Sequence, residues 1–303
     1  MAKTTTVQLF KKPLQFVVEA TEGTTPAASP AFTVCPPVKS LSIKKDGNYV
    51  DVAQIGPEDL AKLVQGMLSF ETQITFYSSA TATDEAFFQR CIQAANYGTP
   101  AGTISETFTI AFSYYLNGVE FYELMKGTRA KSVNIKGALA KAHEITVDFI
   151  HMDIIKPIST VDAGLTTPIW VTAPNAGVIH EWLTGGTTPV TVIGTVIDCT
   201  EINVTINRNT SADYTMGNPK PHSTQPHGRR ISGDFKHLHT AVTMETNYET
   251  PTTGTVLFVL ATGVSTLTIT NAALVSISRD SNAEDTEGQA EAISIKGVSC
   301  TFA

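Results

Sequence analysis

Residues 131–150, KSVNIKGALAKAHEITVDFI, alternate apolar and polar side chains on both sides of a short break. Val133 and Ile135 face one way, with Ser132, Asn134 and Lys136 opposite. Beyond the break, Ile145, Val147 and Phe149 alternate with Glu144, Thr146 and Asp148. A period of two belongs to a half-buried strand and not to a helix, so this stretch predicts an antiparallel pair with one apolar and one polar face. The pattern recurs at 38–45, 66–77, 200–208, 229–238, 273–280 and 290–299. A chain built on so many amphipathic strands is mainly β and antiparallel. What the polar, carboxylate-bearing face looks at is the question that follows.

Composition supports this reading. Thr is frequent, Val, Ile and Phe are common, and Leu- and Ala-rich helical stretches are few, a balance that favours strands. With 303 residues the chain can form one large domain or two of ordinary size. The 21 basic residues are outweighed by 28 acidic ones, a net charge of −7, which argues against a protein that grips phosphates with a basic face. Cys35, Cys91, Cys199 and Cys300 are too far apart in sequence for a Cys-x-x-Cys pair and read as reduced, buried thiols. The N-terminal stretch lacks the apolar run of a signal peptide, and no apolar run is long enough to span a membrane.

The chain divides into an extended Thr/Pro/Ala-rich N-terminal arm (1–37), a first β unit (38–152), a connecting region (153–198) and a second β unit (199–303). The best helix is 83–98, capped by Thr83 or Asp84, ended by Gly98, with Phe87, Phe88, Cys91, Ile92 and Ala95 as its buried stripe. Asn117-Gly118 marks a tight hairpin. The two units follow one plan of strand, long loop, strand, middle section, strand, turn, strand, the first two strands lying about 160 residues from their counterparts. Each predicts an antiparallel sandwich or half-barrel, the first with a flanking helix.

Catalytic chemistry finds little support. No Gly-x-Ser-x-Gly, P-loop, Gly-x-Gly-x-x-Gly or His-Glu-x-x-His motif occurs, and no catalytic residue, cofactor or metal site is assigned. The densest cluster of reactive groups, His222, His227, His237 and His239 near Asp234, lies in a Pro-rich loop and the strand after it; it reads as a solvated or interface segment. Trp170 and Trp182 read as core or interface anchors.

Two segments carry a family resemblance. In FYELMKGTRAKSVNIKGALAKAHEITVDFIHMD, Gly127 precedes Ser132, Val133 and Ile135, followed by a turn and Ile145, Val147 and Phe149. In CTEINVTINRNTSADYTMGNPKPHSTQPHGRRISGDF, Asn207 and Asn209 lead into a long loop and then Gly228, Arg229, Ile231, Ser232, Gly233 and Phe235. Both resemble the tail tube (major tail) proteins of long-tailed bacteriophages and related archaeal viruses, here as two tandem units. The resemblance implies packed sheets with a flanking helix, and subunits whose sheets join into a multi-subunit β-barrel ring around a channel for the genome. Rings stack into a tube. It implies a virion tail protein made in the host cytoplasm, with itself, the tape measure, the tail terminator and the tail tip as partners. Double-stranded DNA would pass transiently without tight binding. Two units per chain imply a trimeric ring with pseudo-sixfold symmetry; a hexameric ring is the alternative.

On this reading the polar faces line the channel through Ser42, Lys44, Glu71, Gln73, Asn134, Lys136, Glu144, Thr146 and Asp148, and through Glu201, Asn203, Thr205, Ser232 and Asp234. The loops 46–65 and 209–228, with Asp46, Asn48, Asp59, Met216, Asn218, His222 and His227, would reach the next ring. The competing reading is another β-rich virion component, such as a neck, tail-tip or adhesion module.

Overall fold

The computed structural model describes residues 7–9, 12–52, 62–79, 81–92, 107–116, 119–157, 159–173, 175, 179, 190–238, 247–249, 252–261, 265–280 and 290–302. The elements in chain order are β1 (Val7–Leu9), β2 (Gln15–Val18), β3 (Thr33–Val34), β4 (Val38–Asp46), β5 (Tyr49–Val52), β6 (Lys62–Gln65), β7 (Ser69–Tyr77) and α1 (Ala82–Ile92). Then come β8 (Phe108–Leu116), β9 (Val119–Ala138), β10 (Glu144–Ile150), β11 (Asp153–Ile155), β12 (Val190–Val192), β13 (Thr195–Ile197) and β14 (Cys199–Asn207). The chain closes with β15 (Ser211–Asp213), β16 (Ser223–Gln225), β17 (Arg230–Leu238), β18 (Thr253–Ala261), β19 (Ser265–Asp280), β20 (Ala290–Gly297) and β21 (Ser299–Phe302).

The strands foreseen from alternation do more than form pairs. They make one continuous antiparallel sheet in the order β4-β7-β10-β9-β14-β17-β20-β19. β9 and β19 are longer than alternation suggested because each serves two sheets. The first part of β9 pairs with β8 and β11, and its second part with β10 and β14. The first part of β19 pairs with β18 and β21, its second part with β20. Each turns its corner at a residue in the left-handed region, Gly127 (φ 59°) in β9 and Asn271 (φ 51°) in β19. At Gly127 a side chain would also collide with Met152, its Cβ lying 2.6 Å from Cγ and Sδ. The buried Glu19 carboxylate fastens this corner, accepting the Gly127 N–H (2.9 Å) and the Thr109 hydroxyl (2.7 Å).

The irregularities of the two halves of the sheet coincide. Lys39 is an extra residue in β4 against β7, and Thr200 an extra residue in β14 against β17. Lys131 is the extra residue of β9 against β10, four after Gly127; Val275 is that of β19 against β20, four after Asn271. Past the end of β4, Asn48 (φ 41°) donates its N–H to Asp46 and its side-chain amide to the Met67 carbonyl. Past the end of β14, Asn209 (φ 49°) makes the same two bonds to Asn207 and the Gly228 carbonyl.

The apolar face of the sheet packs on the core. Phe16, Phe76, Phe87, Phe88, Phe108 and Phe149 form one aromatic cluster under α1, with ring centroids 4.9–6.5 Å apart. In the second half Phe235 stacks on Phe258. α1 buries Phe87, Phe88, Cys91 and Ile92 as foreseen. Its cap differs: Thr81, rather than Thr83 or Asp84, accepts the Asp84 N–H (3.1 Å), because the Asp84 side chain is buried and held by Ser79 and Asn175. Residues 93–98, including Ala95 and Gly98, lie outside the described residues. β8 and β9 pair up to Leu116 and Val119; Asn117 and Gly118, where a tight hairpin is expected, lie outside the described residues.

The described residues of the N-terminal arm (1–37) pack on the first unit. Leu14, Phe16, Phe32 and Cys35 are buried in the core, and β2 pairs with β3 and β8. These apolar residues, scattered among Thr and Pro, give no periodicity, yet each is buried. Likewise 153–198 is more than a connection, since β11 joins β9 and β12 joins β13 and β18. Trp170 stacks on Phe32 (4.3 Å) and Tyr122; Trp182 lies outside the described residues.

One buried histidine ties the core to pH. His151 is fully buried between Thr128 Oγ1 (Nδ1, 2.8 Å) and Thr72 Oγ1 (Nε2, 2.7 Å). Thr128 gives its hydroxyl proton to the Met125 carbonyl and so accepts from Nδ1–H, which fixes Nδ1 as a protonated nitrogen. Burial, with Lys45 nearby, lowers the His151 pKa from 6.5 to about 3. A folded-state pKa below the unfolded one means stability present above pH 6.5 and lost as pH falls toward 3. Between pH 7 and 4.5 this group alone removes about 2–3 kcal/mol. In urea denaturation, the stability gap between wild type and His151→Gln should therefore narrow by about that amount over this range; an unchanged gap would show that His151 is protonated in the fold.

Candidate functional site

The surface with most chemistry is the polar face of the eight-stranded sheet. Strand parity places every residue of even register on it, and the ladders set those residues in rows. One row runs Ser42, Gln73, Asp148, Ser132, Asn207, Arg230. The next runs Ser40, Thr75, Thr146, Asn134, Thr205, Ser232, Lys296. A third runs Tyr77, Glu144, Lys136, Asn203, Asp234, Ser294, Ser276. Lys44 pairs with Glu71 at one end, and Glu201 with Lys236 at the other. All the residues picked out from alternation thus share one face, although they come from both halves of the chain.

The rows add further members of the face to the residues named above as its wall: Thr75, Ser132, Asn207, Arg230, Lys236, Ser276, Ser294 and Lys296. The same period-two pattern marks them. Lys131, the bulged residue, joins the face out of phase and could not be found that way.

The carboxylates of this face are engaged by neighbours. Glu71 pairs with Lys131 (2.9 Å), Glu144 with Lys39, and Glu201 with Lys236 (2.8 Å). Asp148 accepts from Gln73 (2.8 Å) and Ser132, and Asp234 accepts from Ser294 (2.6 Å). Asn134 donates to both Asn203 (2.7 Å) and Thr205 (2.8 Å), stitching β9 to β14. Lys136, Arg230 and Lys296 stand exposed. The face is therefore a mixed, largely self-compensated lattice and not an acidic one. Two open grooves lie on it, one bordered by Ser42, Glu71, Gln73 and Asp148, the other by Lys136, Glu144, Glu201 and Asn203.

The long loop 209–228 folds back along the first half of the chain. Its β15–β16 hairpin is held by Tyr214 Oη donating to the Leu68 carbonyl (2.8 Å), Leu68 N–H to the Pro219 carbonyl (2.7 Å), Lys220 to Asp153 (2.8 Å), and Thr224 to Glu22 (2.7 Å). Met216, Asn218, His222 and His227 remain exposed along it. β5 and β6 form the matching hairpin beyond β4. Asp46 and Asn48 sit at its base; Asp59 lies outside the described residues.

The histidines do not gather. His237 points into the core, away from Asp234, with Nε2 3.2 Å from Glu291, whereas His222 and His227 stay on the loop. His239 lies outside the described residues, and among those described no cluster could hold a metal ion. All four cysteines are buried thiols outside any disulfide; burial pushes the Cys199 pKa up to about 12 and that of Cys300 to about 11. No helix among the described residues is long and apolar enough to cross a membrane.

A β protein that presents one broad polar face and no cluster of reactive groups at a cleft has the makings of a structural component. The sequence matches the family model of phage tail tube proteins over residues 10–302. The chain belongs to the phage tail tube protein family, and it is a structural virion protein, a major tail tube subunit that assembles with itself and with other tail proteins. Among solved structures, the SPP1 tail tube determined by solid-state NMR and cryo-EM aligns with 52% of this chain and 84% of its own, at 12% identity and a TM-score of 0.33. No curated protein matches.

Exposed ion pairs add little to stability. Lys131→Ala and Glu201→Ala should each change the urea unfolding free energy by less than about 1 kcal/mol. A loss of several kcal/mol would mean that the face exists to hold the fold rather than to meet something else.

Proposed function

We propose that the polar face lines the channel of the tail tube. The observation that carries this reading is the sheet itself: eight strands from both halves of the chain share one polar face, and its outer edges, β4 and residues 274–280 of β19, pair on one side only among the described residues. An edge strand with free N–H and C=O groups invites another chain, and closure into a barrel removes the edge. Lateral joining of copies extends the sheet into a ring with Ser42, Lys44, Glu71, Gln73, Asn134, Lys136, Glu144, Thr146 and Asp148 inside. Glu201, Asn203, Thr205, Ser232 and Asp234 complete the wall.

Three copies, each giving eight strands, make a 24-stranded barrel with pseudo-sixfold symmetry. With strands ~4.8 Å apart and tilted ~40°, its backbone diameter is roughly 45–50 Å, wide enough for a double helix. Binding to DNA grows with each phosphate that a free cation neutralises. Lys39, Lys44, Lys131 and Lys236 sit against carboxylates while Lys136, Arg230 and Lys296 stand exposed, a partial compensation that favours passage over capture. The protein would be made in the host cytoplasm and act in the virion tail, without catalysis. The exposed stretch around Met216, Asn218, His222 and His227 would touch the next ring.

Negative-stain microscopy of the purified chain should show stacked rings with an axial hole and threefold symmetry. A chain that stays monomeric at high concentration would overturn the reading, and six copies per ring would overturn the copy number. Asn134→Lys, Thr205→Lys and Ser232→Lys together should convert the wall into a binder. Such tubes should retain duplex DNA at least tenfold more strongly at low salt, with the gain lost as salt rises. Unchanged retention would place this face away from the channel.

A further inference from the structure

We propose that β19 of one copy pairs with β4 of the next in the register that β9 and β14 show within a single chain, so that Ser276 faces Asp46 and Ser278 faces Lys44. The inference rests on the tube reading and specifies its partner surface.

The coincident irregularities match two pairs of strands position by position. The extra residues Lys39 and Thr200, and the left-handed Asn48 and Asn209 with their matched bonds, equate β4 with β14 at a shift of 161 residues. The corners at Gly127 and Asn271, each followed four residues later by an extra residue, equate β9 with β19 at a shift of 144. Inside the chain, Ser132 faces Asn207, Asn134 faces Thr205 and Lys136 faces Asn203. Moving both partners by their shifts puts Ser276 opposite Asp46, Ser278 opposite Lys44 and Asp280 opposite Ser42.

Burial supports the transfer. At the internal junction Val133 and Val204 are fully buried and Ile202 nearly so. Their counterparts at the two outer edges, Ile277, Ile43 and Leu41, touch the same core but are only partly covered. The edges are thus built like the internal junction and lack a cover that a second copy would supply. The hairpins agree. Arg208 N–H bonds the Lys131 carbonyl (2.9 Å) as the chain leaves β14 toward the β15–β16 hairpin. The equivalent bond runs from Gly47, at the base of the β5–β6 hairpin, to the carbonyl of Val275 in the next copy. Exposed apolar residues stand on both sides of that contact, Tyr49 and Met67 by the hairpin and Val275 and Val298 by the β19 corner. The first-half hairpin thereby clasps the neighbour as loop 209–228 clasps its own chain.

Double-cysteine variants test the register in assembled protein, the native cysteines being buried. Ser278→Cys with Lys44→Cys, or Ser276→Cys with Asp46→Cys, should join copies through a short bis-methanethiosulfonate at least tenfold more than Ser278→Cys with Ser40→Cys. The last pair is displaced by four residues, ~13 Å along the strand. Microscopy of each variant before cross-linking separates the outcomes. Rings or tubes in which the displaced pair links as well as the matched pairs, or in which neither matched pair links, overturn the register and leave the tube reading standing. Wild-type protein that forms no ring overturns both.

Discussion

The backbone pairing of β9 with β14 is the interaction on which the rest depends. It joins strands that lie more than sixty residues apart and turns two four-stranded sheets into one of eight. Were it absent, each half would present a raw edge in the middle of the molecule, and the polar rows would stop at Ser132, Asn134 and Lys136. Asn134 reinforces the seam from the polar side, through Asn203 and Thr205. Val133, Ile135 and Val204 close it from the core side.

One alternation serves two purposes across this sheet. Its apolar members hold the fold: the phenylalanine cluster under α1 and the Phe235–Phe258 stack bury large surfaces, which supply most of the folding energy. Its polar members contribute little to stability and are free to suit what lies outside. Their internal pairing of Glu71, Glu144 and Glu201 with lysines leaves a wall with scattered charge rather than a field of one sign. On the proposed reading that distinction matters, because a channel wall must be wetted without holding what passes.

Several features were legible in the residues because they depend on local periodicity. The eight strands of the large sheet and the α1 stripe from Phe87 to Ile92 follow from spacing within short windows. The strands β2 and β3 were not legible, since Phe16 and Phe32 find their places only against strands far along the chain. The Thr81 cap was missed because the buried bonds of Asp84 to Ser79 and Asn175 take that side chain out of contention. The continuity of β9 through Gly127 was hidden as well. A glycine inside a strand reads as a break, whereas here Glu19 and Met152 hold it as a corner. His237 and Asp234 looked like neighbours in sequence; three residues along a strand is an odd step, and it sends them to opposite faces.

The sequence by itself determined which side chains lie together on a face, because the strand's period of two assigns every residue to one side or the other wherever the strand runs. It could not determine which residues stand beside one another. Register is decided by bulges at Lys39, Lys131, Thr200 and Val275, by corners at Gly127 and Asn271, and by contacts between segments remote in the chain. Only the tertiary structure set Asn134 next to Asn203, paired Glu71 with Lys131, and left β4 and β19 as matching edges, because each of those outcomes depends on the packing of the whole core beneath them.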